Sequence, residues 1–219
     1  MRSFLEDVKA RGFSPRGSVD VGANYGSWTI LAHEVFPGLP VLMIEPQNEL
    51  QSDLRKIAKS ADNIELVGAG AGRCPGELTQ TIWPDFAGSS FLPEEDASRL
   101  EKGEQRRTPI VTIDGLLTAR PDFRPDLVKL DIQGFELEAL AGGQRLFGQT
   151  ELFIIETSFY KFFPAQPLAS EVIAFMSKHG YELYDIVGQL HRPYDGALGQ
   201  ADFAFARRGG QLMSSPAWD

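Results

Sequence analysis

The chain has little of what builds disulfides and metal sites. One of its 219 residues is cysteine, Cys74, in the turn-like stretch "GRCPGE". A lone cysteine forms no internal disulfide, so nothing marks an oxidising compartment. The histidines His33, His179 and His191 are scattered. They form no His/Cys ligand spacing, and no metal site is expected from them. Apolar runs are short, and none approaches the roughly 20 residues of a membrane span. The first stretch, "MRSFLEDVKARGF", carries acids and lacks the apolar core of a secretory signal. A cytoplasmic protein without a membrane span is expected. Basic residues are scarce too: 21 Lys and Arg stand against 30 Asp and Glu, a net charge of -9. That balance disfavours nucleic acid as a partner, because phosphates need a basic surface.

What is present is a core and a rhythm. Hydrophobic residues make up 42% of the chain, enough to bury a sizeable interior. Short apolar, β-branched runs predict strands over Ser18–Val21, Val41–Ile44, Ile64–Val67, 126–132 and "ELFIIET". Helical periodicity falls between them, over 3–11, Ser27–Val35, 48–60, "GFELEALAGGQRLF" and "PLASEVIAFMSKHG". In 48–60, Leu50, Leu54, Ile57 and Ala58 share one face. "ELTQTIW" reads as a surface strand, "TPIVTIDGLL" as a strand and a short helical turn, and "YELYDIV" and "ADFAFAR" as two closing antiparallel strands. Strands apolar on both faces, alternating with helices, imply a parallel sheet covered on both sides. The fold expected is a doubly wound, Rossmann-like α/β domain over 1–208, with a short N-terminal helix and a flexible tail over 209–219. A long loop, 85–105, is rich in turn formers and acids; loops of that length often act as lids. Its Ser89 and Ser90 are placed to meet a ligand.

In such a fold, ligands bind at the carboxyl ends of the strands, where strand order reverses. The residues at that edge are Gly22, Ala23, Asn24, Tyr25 and Gly26 after the first strand, and Glu45 and Pro46 after the second. Ala69 and Gly70 follow the third, Asp131 the fourth and Glu156 the fifth. The stretch "VDVGANYGSW" spaces its glycines G-x-x-x-G. This differs from the G-x-G-x-x-G dinucleotide fingerprint, which argues against a nicotinamide oxidoreductase. Its helix-opening amides favour an anion, and an amino-acid carboxylate suits them better than a pyrophosphate. Asp20, just before the turn, adds an acceptor. The alternative reading is a tight turn with a self-satisfied acid. Glu45 ends its strand where an acid accepts ribose hydroxyls. An amino-acid cradle plus a ribose acid suggests S-adenosylmethionine.

Two blocks carry a family resemblance: "VDVGANYGSW" with "VLMIEPQNEL", and "VKLDIQGFELEALAGG" from Val128 to Gly143. The second resembles the block K-[IL]-D-[VI]-[EQ]-G-x-E-x-x-x-L-x-G of FkbM-type S-adenosylmethionine-dependent methyltransferases. The pieces "ELVGAGAG", "VTIDGLL", "LFIIET" and "DFAFARR" extend the likeness over roughly residues 4–208. The resemblance implies a seven-stranded sheet with the last strand antiparallel. It implies methyl transfer, commonly to a hydroxyl of a small molecule or saccharide. It places Asp20, Gly22, Asn24 and Gly26 toward the methionine part, Glu45 at the ribose, Ala69 and its neighbours at the adenine, and Asp131 near the methyl group. The chain departs from the family pattern at Gly68, Gly70 and Arg73.

For a hydroxyl acceptor, Asp131 is the first candidate general base and Glu156 the second. Asp131 has the alternative role of capping the next helix. Together the two acids would also suit a divalent cation. Glu136 and Glu138 read as helix-surface acids. Lys129, inside an apolar strand, is expected to pair with an acid or reach the sheet end. The run "SFYKFFP", with Phe159, Tyr160, Phe162 and Phe163, reads as an acceptor wall, core or a homodimer patch. A catalytically inactive cofactor-binding or scaffolding protein of the same fold is the alternative function.

Overall fold

The computed structural model describes residues 1–217; residues 218 and 219 of the expected tail lie outside the described residues. Helix α1 (Arg2–Ala10) precedes β1 (Ser18–Val21), α2 (Ser27–Val35), β2 (Val41–Ile44), α3 (Gln51–Lys59) and β3 (Ile64–Val67). Then come β4 (Gly70–Ala71), β5 (Gly76–Ile82), α4 (Ala97–Leu100), β6 (Glu104–Val111), α5 (Ile113–Thr118) and β7 (Leu127–Leu130). The chain closes with α6 (Glu136–Ala141), β8 (Leu152–Ser158), α7 (Ala169–Lys178), β9 (Tyr181–His191) and β10 (Leu198–Arg207).

Seven strands form the main sheet in the order β3-β2-β1-β7-β8-β10-β9. All lie parallel except β10, which runs antiparallel to both β8 and β9. The expected α/β architecture is therefore present, with its last strand reversed. A second sheet, β4-β6-β5, was not foreseen as a separate layer. Its strands β5 and β6 carry the polar sequences, and β4 is the short buried pair Gly70–Ala71.

Successive strand residues point to opposite faces, and this sorts the core. Val19, Val21, Leu42, Ile44, Val128 and Leu130 pack with Ile113, Leu140, Val172 and Met176 of α5–α7. Val41, Met43, Leu127 and Ile154 pack with Leu5, Val8, Trp28 and Leu54 of α1–α3. Each such aliphatic side chain contributes roughly 1.5–3 kcal/mol when fully buried. The exceptions are polar: Asp20 and Lys129, register partners on β1 and β7, are both buried.

The helix expected over "GFELEALAGGQRLF" is interrupted. α6 ends at Ala141 and a separate 3-10 turn covers Gln144–Leu146. A Cβ on Gly142 would lie 2.0 Å from the Gly72 carbonyl oxygen, so two backbones meet where the helix would continue. Asp114 then holds the amides of Gln144 and Arg145 at 3.1 and 2.8 Å. α3 starts later than the expected 48–60, at Gln51. Beyond β10, the Leu212 amide donates to Glu151 Oε1 at 2.9 Å.

Candidate active site at the strand-order reversal

Strand order reverses between β1 and β7, and two turns meet there. Gly22 (φ 81°), Asn24 (φ 48°) and Gly26 (φ 75°) all adopt left-handed backbone. At Gly22 the requirement is steric as well, because a Cβ would sit 2.0 Å from the Asp131 carbonyl oxygen. The Gly22 amide donates to Ile44 O at 2.9 Å and the Asp131 amide to Val21 O at 3.0 Å. The turn after β1 is thus locked between its two neighbouring strands.

Glu45 is 2% exposed. Its Oε2 accepts from the Asn24 amide at 2.8 Å and its Oε1 from the Gln47 amide at 3.0 Å. Each carboxylate oxygen keeps capacity for a further donor. Burial pushes the Glu45 carboxyl up, and the Gln47 and Asn24 amides pull against it.

A cavity of about 650 Å³ opens over this edge. Gly22, Ala23, Asn24, Tyr25, Glu45, Pro46, Ala69, Gly70, Asp131 and Glu156 all line it. Asp20 and Gly26 do not. Strand alternation turns Asp20 under α2, where Thr29 Oγ1 donates to its Oδ2 at 2.6 Å and its Oδ1 has no hydrogen-bond partner. Burial pushes its carboxyl up, against the attraction of Lys129. Gly26 faces α3 instead, where a Cβ would lie 2.4 Å from Ile57 Cδ1.

The loop lies beside the cavity. Ser89 Oγ donates to Gln47 Oε1 at 3.2 Å and Ser90 Oγ to Gln133 O at 2.8 Å. Phe91 closes on Gly70, where a Cβ would come within 2.5 Å of its ring. Sequence reasoning missed Phe91, Gln47, Gln200 and Asp202. The one signal for them was their place in a long loop, after β2, or on a closing strand.

The far end of the cavity is acidic. Lys129 Nζ lies 3.0 Å from Asp131 Oδ2. Burial opposes the lysine's charge, but attraction from Asp131 and Asp20 outweighs it and holds the ammonium above the usual lysine range. Gln133 Nε2 donates to Asp131 Oδ1 at 3.1 Å and to Glu156 Oε2 at 2.6 Å. Gln200 Nε2 adds a bond to Glu156 Oε2 at 3.0 Å. Burial first, then repulsion from Asp131, Glu136 and Asp202, pushes the Glu156 carboxyl well above the usual range. Burial and then Asp131 also push Asp202 up.

Glu136 corrects an expectation. It is 3% exposed rather than on the helix surface. Its Oε1 accepts the amides of Ile132 and Gly134 at 3.0 and 3.2 Å, across a turn where Gln133 and Gly134 have φ of 54° and 94°. Burial pushes its carboxyl up to about 7. Glu136, not Asp131, therefore holds those turn amides. Glu138 is at the surface as expected, where Arg73 grips it at 2.8 and 3.0 Å.

A second cavity of about 770 Å³ adjoins the first, and Gly88, Gln133, Leu190 and Gln200 line both. Phe162 and Phe163 line this second cavity. Phe159 instead packs edge-on against Phe203 at 6.0 Å, and Tyr160 lies 3.7 Å beneath the Arg192 guanidinium. Among the described residues, no group of three or more His, Cys, Asp or Glu is arranged to hold a metal ion. No helix among them is long and apolar enough to cross a membrane.

A family model for the methyltransferase FkbM domain matches residues 20–183, from the buried acid of β1 into β9. The chain belongs to the FkbM methyltransferase family. This FkbM domain is 26% identical over 141 residues to "Methyltransferase 1" of Beauveria bassiana, with 57% of each chain covered. It is 26% identical over 152 residues to methyltransferase sdnD of Sordaria araneosa, covering 57% of this chain and 59% of that one. The matched part is thus less than two thirds of the length of these curated relatives. Among solved structures, it resembles the FkbM methyltransferase of Methylobacillus flagellatus KT, with a TM-score of 0.55 and 21% identity over 87% of this chain and 44% of that one. It also resembles 1,6-didemethyltoxoflavin-N1-methyltransferase of Burkholderia thailandensis, solved with bound 1,6-didemethyltoxoflavin and S-adenosylhomocysteine. There the TM-score is 0.51 and the identity 13%, over 94% of this chain and 76% of that one. At these identities the likeness is one of fold.

Proposed function

We propose that this FkbM domain is an S-adenosylmethionine-dependent methyltransferase acting on a hydroxyl of a small molecule or saccharide. One observation carries the reading: a buried acid with spare acceptor capacity, Glu45, shares a cavity with Asp131 on the other side of the Gly22 turn. The residues fit the cofactor. Gly22 admits no side chain, so the turn stays narrow. Glu45 would accept the ribose hydroxyls. Ala69 and Gly70 would border the adenine with little side-chain bulk, and Ala23, Asn24 and Tyr25 would meet the amino-acid end. Bound S-adenosylmethionine supplies a methyl carbon activated by its sulfonium.

The chain's own residues then have two tasks. The first is to hold the acceptor hydroxyl in line, where positioning provides much of the rate. The second is to take its proton, a general-base contribution of about 10²–10⁴-fold. Asp131 suits the second task because Lys129 and Gln133 orient its carboxylate. Glu156, pushed toward its protonated form, suits holding a proton and orienting the acceptor. Calorimetric titration with S-adenosylhomocysteine is the test, with saturable one-site binding expected. Absence of binding, or binding of NAD in its place, removes the reading. Binding without methylated product from any hydroxyl acceptor would favour a cofactor-binding protein without turnover.

A further inference from the structure

We infer that Ser89 and Ser90 are positioning residues: two consecutive serines tie the Glu45 end of the first cavity to its acidic end, so that a nucleoside held at Glu45 also sets the placement of Asp131 and Glu156. This rests on the methyl-transfer reading and adds a means of regulating its site.

Ser89 faces the first end. Its Oγ donates to Gln47 Oε1 at 3.2 Å, and the Gln47 amide is one of the two that hold Glu45. Gln47 Nε2 donates in turn to Phe86 O at 3.1 Å. Phe86 stands at φ 62°, a left-handed backbone that a bulky residue keeps only where its surroundings impose it. Gln47 therefore grips the segment 86–89 at both of its ends.

Ser90 faces the second end. It is 1% exposed and lines neither cavity, so its role is not that of a ligand contact. Its Oγ donates to the Gln133 carbonyl oxygen at 2.8 Å and accepts the Leu92 amide at 3.0 Å. Gln133 is the residue whose side-chain nitrogen donates to both Asp131 and Glu156. Its backbone is left-handed, at φ 54°. Ser90 holds its carbonyl while Glu136 holds the amides of Ile132 and Gly134 on either side. A shift of Ser90 therefore swings the amide that spaces the two acids.

The segment that carries both serines covers the cavity. Phe86, Gly88, Ser89 and Phe91 line it, so a ligand there meets the segment directly. Phe91 closes on Gly70 and Leu92 on Gly134, where a Cβ would lie 2.5 and 2.6 Å from them. One stretch of chain thus rests on turns at both ends of the cavity. An isolated bridge, Ser90 with Thr81, joins it to β5 in place of a continued ladder. Segments outside the regular ladders are the ones that adjust to a ligand. Ordering one end then prepares the other, and the coupling runs equally in both directions.

Hydrogen exchange with and without saturating S-adenosylhomocysteine tests the link, with saturation checked by calorimetry for each protein. In the wild type the ligand should slow exchange over 86–92 and at the Ile132 and Gly134 amides by roughly 10-fold. Ser90→Ala should still bind the ligand and keep protection around Glu45, yet lose most of it at Ile132 and Gly134. Ser89→Ala should lose it at the same two amides with Ser90 intact, which guards against a first variant that misfolds. Unchanged protection at Ile132 and Gly134 in either folded variant would overturn the inference and leave the transfer reading standing. So would a folded Ser90→Ala that no longer binds the ligand, because the serine would then be needed for binding itself. A wild type that binds no S-adenosylhomocysteine would overturn the transfer reading first, and the link with it.

Discussion

At the β1–β2 end of the cavity a single acid, Glu45, is set among backbone amides; at the β7–β8–β10 end, Asp131, Glu156 and Asp202 crowd around Lys129. The first end is local. Its glycine turn and its acid lie on consecutive strands, and main-chain donors hold the carboxylate in place. The second end is assembled from three strands and one helix, and burial, then repulsion from neighbouring acids, raises Glu156, Asp202 and Glu136. An end made of backbone suits holding a polar, uncharged hydroxyl pair in one geometry. An end made of crowded acids suits holding and passing protons.

The sharpest way to separate the two ends is Asp131→Asn. It should lower kcat by about 10²–10⁴-fold while S-adenosylhomocysteine affinity, read by calorimetry, stays near wild type. If affinity fell as far as kcat, the two ends would be one energetic unit and the contrast would collapse.

Glu136→Gln probes the acidic end through pH. In the folded protein Glu136 holds its proton up to about 7, against 4.5 for the ordinary carboxyl. The folded state therefore binds more protons than the unfolded chain in that window, so stability falls as pH rises through it and levels off above. The fall due to Glu136 is on the order of 3 kcal/mol. A glutamine keeps an oxygen for the Ile132 and Gly134 amides but cannot ionise. Urea unfolding at about pH 5 and about pH 7.5 should show a clearly flatter response in the variant, with Glu156 and Asp202 leaving a remainder of the same sign. An identical slope in both proteins would mean that burial is not what raises this group.

Glu45→Gln tests the other end. Losing a charged acceptor is worth about 1.5–3 kcal/mol, so S-adenosylhomocysteine affinity should fall about 10- to 100-fold, with kcat at saturating cofactor little changed. A variant that lost kcat and kept affinity would reverse the assignment of the two ends.

The contrast also sets what was legible before any coordinates. The strands Ser18–Val21, Val41–Ile44 and Ile64–Val67 and the helix Ser27–Val35 were readable to the residue, because each is a short apolar run bounded by turn formers. The glycine turn and Glu45 were readable for the same local reason. The burial of Glu136 was not, since its position at a helix start says nothing of the amides across the Gln133–Gly134 turn. The break at Gly142 was hidden as well, because it depends on the Gly72 carbonyl, distant in sequence. The bond that Asp20 accepts from Thr29 under α2 was hidden too, since it depends on where the helix packs.

The doubly wound sheet, the edge where the cavity opens and the acid of the first turn pair were all legible from the chain alone. Those features follow from hydrophobic periodicity and from glycine's backbone freedom, both properties of neighbouring residues. The three-dimensional packing alone set how acids at the ends of β7 and on β8 and β10 gather near Lys129, and where Trp83 and Phe162 line a second cavity. The physical reason is that desolvation and charge coupling depend on distance in space. Antiparallel β10 and the long loop bring together groups that the chain keeps far apart.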